Sequence, residues 1–472
     1  MKKIFILIAV LATMQSCNKF GDTNVNPALL NAASTRALLT NSQQSIKSLI
    51  FANRYANFYI QHLAEGPYPA SSLYSDRNVS FGSFYTGPLM NLQTIISNNN
   101  DGLIAASGNG SKNNQIAAAR IMKAYFYMVM TDIWGDVPYT EALQGNAKYA
   151  PKYDDQKAIY TDLFKELTEA VAQINTTEAG VTGDILFNGN MTSWKLFANT
   201  MRMGMAIKLS KADAVKGKAE YAAAVTAGVL ASNTNNVMYN FIAGDPNNYN
   251  PWYDNYTVSK RDDYAISKTM TDYMDPKADP RLKVYAENLA GGVIKGLTYG
   301  ILATPITAAF SRIGDNYRGQ GSPLPIFTYA QVLSWQAEAA LLGYTTGGET
   351  EAKAKYEASI KASMEQHGVY DATKYAAYIA NADVAYSTAN AWKQVITERW
   401  VHTYLNSWDA WNDWRRTGYP VLTPAPNAVV SNGIPYRLSY STTEPALNPD
   451  NYKAVVLKQG ADDNYTKMWL FK

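Results

Sequence analysis

Apolar residues return at helical spacing along most of this chain. Ile159, Leu163, Leu167, Val171 and Ile174 recur every three to four residues, as do Trp194, Phe197, Met201, Met205 and Leu209, followed after a break by Tyr221, Val225 and Val229. That period puts each set on one side of a helix. The stretch 116–133 is apolar on most faces, which predicts a buried helix. Further helices are expected over 328–342, 351–367 and 389–405, with a short one around 407–416. Near the start, a loop from Asn24 leads into a helix expected to continue towards Glu65. These segments pair into antiparallel hairpins of roughly 30 to 40 residues, a length typical of helical repeats. The long stretches 233–263 and 288–325 are rich in Asn, Gly, Pro and Tyr. Loops of that length are functional or carry local strands, so a ligand is expected there.

The first seventeen residues follow another pattern. Met1-Lys2-Lys3, an apolar stretch from Ile4 to Leu11 and the small Ser16 precede Cys17, the only cysteine of 472 residues. A charged start, a short apolar core and a small-residue cleavage site make an export signal, and the core falls short of the ~20 residues that span a bilayer. Residues 1–16 are therefore expected to be a lipoprotein signal peptide, with Cys17 the lipid attachment point and 17–472 a single helical domain tethered to a membrane. Removing Lys2 and Lys3 leaves 40 basic against 39 acidic residues. With no long run of either sign, this argues against nucleic acid and against a polybasic membrane patch. One cysteine excludes an internal disulfide and a cysteine-based zinc site. The 34 Tyr, 10 Trp and 14 Phe fill cores, and they also offer flat faces with polar tips to sugars or peptides.

Five segments in order resemble the SusD/RagB family of nutrient-binding outer-membrane lipoproteins. They are Gly21-Asp22-Thr23-Asn24-Val25-Asn26-Pro27; Ala124-Tyr125 with Thr131-Asp132-Ile133-Trp134-Gly135-Asp136-Val137-Pro138-Tyr139; Asn250-Pro251-Trp252 through Asp263-Tyr264-Ala265-Ile266-Ser267 to Asp279-Pro280-Arg281-Leu282; Ser322-Pro323-Leu324-Pro325 leading to Ala337-Glu338-Ala339-Ala340; and Trp408 to Pro420 with Ile434-Pro435-Tyr436-Arg437. The resemblance implies a mainly α fold of tetratricopeptide-like hairpins supporting a loop-rich ligand-binding face, although the tetratricopeptide consensus itself is poorly matched. It also implies a lipid-anchored location at the outer membrane of a Bacteroidetes-type bacterium. The implied partners are a SusC-like TonB-dependent transporter, which such proteins cap, and an oligosaccharide or peptide nutrient. Surface-displayed members carry several acids after the lipidated cysteine; here Asn18 to Asp22 holds one.

Trp408, Trp411 and Trp414 line one side of a helix, and core packing explains them, with Arg415 and Arg416 pairing acids or capping the helix. Asp132 and Asp136 are read as satisfying backbone amides in a turn, since a hydrolytic pair needs about 5–10 Å across a cleft. His62, His367 and His402 match no metal spacing, and no nucleophile elbow or phosphate loop is present. No catalytic residue, metal or cofactor is assigned. Asp262-Asp263 and Asp462-Asp463 lack calcium-loop spacing. The loop aromatics remain: Tyr68 and Tyr74 with Arg77 (beside Tyr85), Trp252, Tyr253 and Tyr256 in an Asn-rich loop, and Tyr317 with Arg318 between glycines. Stacked rings with Asn and Arg suit a sugar, so these are the expected ligand contacts, and Trp252→Ala is expected to weaken uptake while leaving the fold intact. The expected function is reversible, non-enzymatic nutrient capture. The alternatives are a secreted helical glycosidase or polysaccharide lyase, for which no catalytic pair is found, and a helical-repeat scaffold binding only protein.

Overall fold

The computed structural model describes residues 33–75 and 79–472. Cys17, the signal segment and Arg77 lie outside the described residues. Helices of ten residues or more are α1 (Thr35–Ile46), α2 (Met90–Asn100), α3 (Lys112–Trp134), α4 (Gln156–Gln173), α5 (Met191–Lys208), α6 (Ala214–Ala227), α7 (Tyr329–Leu341), α8 (Gly348–Gln366), α9 (Ala391–His402), α10 (Ser407–Thr417) and α11 (Pro449–Gln459). Shorter helices and, among the described residues, three antiparallel two-stranded ladders accompany them: β1 (Leu63–Glu65) with β5 (Tyr264–Ile266), β2 (Val137–Pro138) with β3 (Tyr153–Asp154), and β4 (Val237–Tyr239) with β6 (Leu324–Phe327). The chain is mainly helical, as its periodicity demands, and α3/α4, α5/α6 and α7/α8 pack as hairpins.

α3 is the spine. It is buried on nearly every face from Asn114 to Trp134, and Ser111 caps its start by accepting from the Asn114 N–H at 3.3 Å. It stops at Gly135, whose φ of 84° favours glycine, and a Cβ there would sit 2.1 Å from the Gln459 Oε1. α7 begins with a capping box between Thr328 and Gln331. The helix expected to run as far as Glu65 does not do so. After α1 a wider turn closes with the Ala52 N–H on the Lys47 carbonyl (2.8 Å), a five-residue helix covers Tyr55–Tyr59, and Gln61 takes φ 57°. The chain thereby turns from the helical layer into β1. Both long loops carry strands, as expected: β4 lies within the first, and β5 and β6 lie at their ends.

Charged side chains knit the helical layer from inside. Glu338 of α7 accepts from both Arg399 of α9 and Arg416 of α10, and Asp413 accepts from the same two at 2.7 and 2.9 Å; Glu338 and Arg416 are wholly buried. Asp132 pairs with Lys208 at 2.6 Å and accepts from Tyr160 (2.5 Å) and Asn412 (2.8 Å). It is a buried hub joining α3, α4, α5 and α10, and not the turn-capping group expected. Asp136 does cap, accepting from the Gln156 N–H at 2.8 Å. Arg281 pairs with Asp279 (2.7 Å) and Glu398 (3.0 Å) in a third buried cluster. The Trp408–Pro420 segment is thus scaffold: Trp411 is fully buried, with Arg415 3.7 Å over its ring.

Candidate functional site

The loop-rich face grows from the β1/β5 ladder, which pairs Leu63 with Ile266 and Glu65 with Tyr264. Gly66 extends it, donating to the Asp263 carbonyl (2.9 Å) and accepting from Thr304 (3.0 Å). A Cβ on Gly66 would lie 2.4 Å from Ile306, so the loop around 304 approaches as closely as it does only because residue 66 has no side chain. Tyr74 ties further loops together. Its oxygen accepts from the Ala425 N–H (3.0 Å) and from the Tyr299 hydroxyl (3.4 Å), while the Val429 N–H reaches the Leu73 carbonyl (3.0 Å). Burial, 99 % complete by area, pushes the pKa of this phenol above its usual value.

The expected ligand aromatics divide by exposure. Tyr68 is 64 % exposed and Arg261 lies 5.0 Å over its ring. Arg261 is held by Asp263 at 2.6 Å, and Asp263 is steadied by Asn255 at 3.2 Å. Beside them Arg312 forks onto Asp262, with one arm at 2.8 Å. Trp252, by contrast, is 1 % exposed. Arg54 sits 4.9 Å from both the Trp252 and Tyr264 rings, which meet edge-on at 5.8 Å. Tyr317 is 6 % exposed among Tyr285, Tyr404 and His367. Tyr74, Trp252 and Tyr317 therefore present no open ring, and the expectation that they stack on ligand meets a packed interior: each finds a partner far along the chain that spacing does not reveal. Tyr253 is half-buried edge-on to Tyr249 at 5.3 Å. Tyr256, also half-buried, donates to the Tyr264 carbonyl (2.7 Å) under Arg318. Tyr68 and Arg261 are the exposed aromatic and cation that the fold brings together.

The family model for SusD-like proteins, described as starch-binding and associating with the outer membrane, matches residues 27–441. This chain belongs to the SusD-like family. A solved chitin-binding protein is similar at 27 % identity over 93 % of this chain and 100 % of its own, with a TM-score of 0.81. A chitin-binding SusD homologue from Flavobacterium johnsoniae (23 % identity, 93 % and 98 % covered, TM-score 0.79) and a SusD homologue from Bacteroides uniformis (22 %, 94 % and 100 %, 0.81) share the fold. A search of curated proteins returns no match.

In this SusD-like chain His62 and His402 are buried and His367 is half-buried. Burial pulls His62 and His367 down to about 3 and holds His402 well below its usual value, so all three are neutral at pH 7. His62 Nε2 lies 2.8 Å from the Trp400 carbonyl. Among the described residues no three His, Cys, Asp or Glu gather as a metal site, and no helix is long and apolar enough to cross a membrane. Arg261 and Arg312 escaped the sequence reading. Arg261 meets a tyrosine 193 positions away, and its one local signal is the Arg261-Asp262-Asp263 charge cluster, which reads as a solvated turn. A cleft of about 1030 Å³ lies elsewhere, among α4, α6 and α11, and none of the expected aromatics lines it.

Proposed function

We propose that this SusD-like protein is lipid-anchored through Cys17 at the outer membrane, captures a glycan oligomer on its loop-rich face and delivers it to a SusC-like TonB-dependent transporter without cleaving it. The carrying observation is the exposed Tyr68 ring braced by Arg261 and Asp263. A flat ring beside fixed donors and acceptors suits a sugar, whose apolar face stacks while its hydroxyls pair. Arg261, Asp262 and Arg312 supply those polar groups, and the face is held by backbone bonds from four loops, so little ordering is lost on binding. Of the acids around Tyr68, Asp262 and Asp263 are committed to arginines and Glu65 to the Ser72 N–H at 2.7 Å, which supports binding and not hydrolysis. The similarity to a chitin-binding protein along its full length favours N-acetylglucosamine oligomers as the first ligand class.

Titration calorimetry of the protein with chitin, starch and peptide oligomers, followed by analysis of each mixture for cleavage, tests this reading. Saturable binding of one glycan class, recovered intact and weakened at least about tenfold (~1.4 kcal/mol) by Tyr68→Ala or Arg261→Ala, is expected. Turnover, or binding indifferent to both substitutions, overturns it. Cys17→Ser is expected to release the protein from the membrane fraction and to abolish fatty-acid labelling.

A further inference from the structure

The 1030 Å³ cleft among α4, α6 and α11 uses none of the loop-face residues. One wall is the exposed side of α4, where Lys157, Thr161, Lys165 and Thr168 follow at helical spacing. The 18 residues of α4 run about 27 Å. The apolar surface is Trp469, half-buried and edge-on to Tyr160 at 6.3 Å, above Phe164, which Lys216 covers at 5.5 Å.

The charges in this cleft are unequally committed. Asp136 accepts from the Gln156 N–H, Asp155 pairs with Lys458, and Asp162 accepts from the Tyr139 hydroxyl at 2.6 Å. Glu169 is taken by Arg120 at 2.5 Å and Glu220 by Arg202 at 2.6 Å, both arginines reaching in from behind the rim. Every carboxylate side chain of the cleft thus has a donor from the chain. Among the described residues Lys157 and Lys472 have no ion pair, and Lys165 stands 4.0 Å from Glu169. The cleft side chains left without an ion pair are thus the ammonium groups of Lys157 and Lys472, on the rim around Trp469.

We propose that this cleft is a docking groove for an acidic peptide segment of a partner protein, with an apolar residue on Trp469 and carboxylates on Lys157, Lys165 and Lys472. The chemistry favours a polypeptide over an acidic glycan. The ammonium groups are mobile point charges that suit carboxylates, not the rigid forks that read hydroxyls, and the Phe164 face that a sugar ring needs is already covered. A cleft lined by one helix from Lys157 to Glu169 also offers the kind of elongated surface on which peptides are held. The site lies on different elements from the glycan face and stands whatever that face binds.

Selection of short random peptides displayed on phage against the protein, then polarisation titration of the selected peptides as fluorescent conjugates, tests this. The selected pool is expected to carry an excess of Asp and Glu around an aliphatic or aromatic residue. Lys157→Glu, at an exposed position, is expected to weaken binding about fivefold, with a larger effect at low salt. Trp469→Ala is expected to weaken it further, and Tyr68→Ala to leave it unchanged. A pool with no acidic excess, affinity unmoved by Lys157→Glu, affinity lost on Tyr68→Ala, or failure to select any peptide each overturns the proposal. Loss of glycan binding by Tyr68→Ala with peptide binding retained separates the two sites.

Discussion

The helical layer and the loop-rich face are built from the same pairs, arginine with carboxylate and tyrosine with its neighbours, yet they hold them in opposite states. Around Glu338 the guanidinium groups of Arg399 and Arg416 and their carboxylates are almost entirely out of water. On the loop face Arg312 and Arg318 pair with Asp262 and Asp315, whose side chains are 49 % and 83 % exposed. A buried pair constrains its neighbours because losing one member strands a charge; an exposed pair is screened and exchangeable. The aromatics split likewise: Tyr74, Trp252 and Tyr317 lock loops together, while Tyr68 remains open. The rigid chemistry builds the platform and the exposed chemistry is left to meet a ligand.

The largest effect is expected from Glu338→Ala, which leaves two buried guanidinium groups with Asp413 as their one carboxylate partner. A loss of about 3–5 kcal/mol of unfolding free energy, read by urea denaturation, is the expected outcome; a change below about 1 kcal/mol would show that water reaches the cluster. Trp252→Ala comes next. Its burial against Arg54 and Tyr264 predicts a loss of about 3–5 kcal/mol, whereas the sequence alone pointed to a ligand residue with an intact fold. Trp252→Phe keeps most of the ring, and its indole Nε1 finds no partner, so that variant is expected to retain most of the stability. An Ala variant as stable as the parent would return Trp252 to the ligand face.

Reading the chain alone succeeds where burial is periodic and fails where it is decided at a distance. α3, α4 and α5 were legible because Ile159, Leu163 and Leu167, or Trp194, Phe197 and Met201, repeat the helix turn. α2 was not, since Leu92 and Ile95 are the only large apolar residues among its buried positions, nor was α11, which buries only Val455 and Gln459. Too few apolar positions leave no period to detect. The early helix was overextended because nothing in the apolar pattern marks the wide turn at 47–51. At the site, Tyr68 was legible as a ring in a Gly/Pro-rich loop. Tyr74, Trp252 and Tyr317 looked the same by that criterion, and only contacts with Ala425, Arg54 and Tyr404 distinguish them. The motif richest in aromatics and arginines, 408–420, belongs to the scaffold, while Arg261 lies in a loop expected to meet ligand but without a feature that singles it out.

His62 gives a smaller test of the same division, because it lies where β1 meets α9. Its folded value is depressed to about 3 against an unfolded 6.5. Between those values the unfolded chain binds the extra proton, so stability falls as pH drops from about 6.5 towards 3 and is unaffected above 6.5. This residue alone contributes a slope approaching about 1.4 kcal/mol per pH unit within that window. His62→Gln keeps a donor for the Trp400 carbonyl and removes the titration. Denaturation between pH 4 and 7 is expected to show a slope shallower by about one proton; an unchanged slope would mean that His62 already protonates in the folded protein.

The smallest effect on stability is expected at Tyr68, and it sharpens the comparison most. A ring 64 % exposed, touched on one side by an arginine that is itself fixed by Asp263, gives up little on removal, so Tyr68→Ala should shift unfolding by no more than about 0.5 kcal/mol. Its edge of contact with Arg261 is a surface cation–π pair worth ~0.5–1 kcal/mol, and the freed guanidinium regains water in exchange. If melting instead falls as far as for Trp252→Ala, the ring is a strut like Tyr74 and the open platform disappears. If stability is unchanged while glycan affinity drops, the loop face contains one residue whose side chain serves the ligand and not the fold. That dissociation is what the difference between the two regions requires.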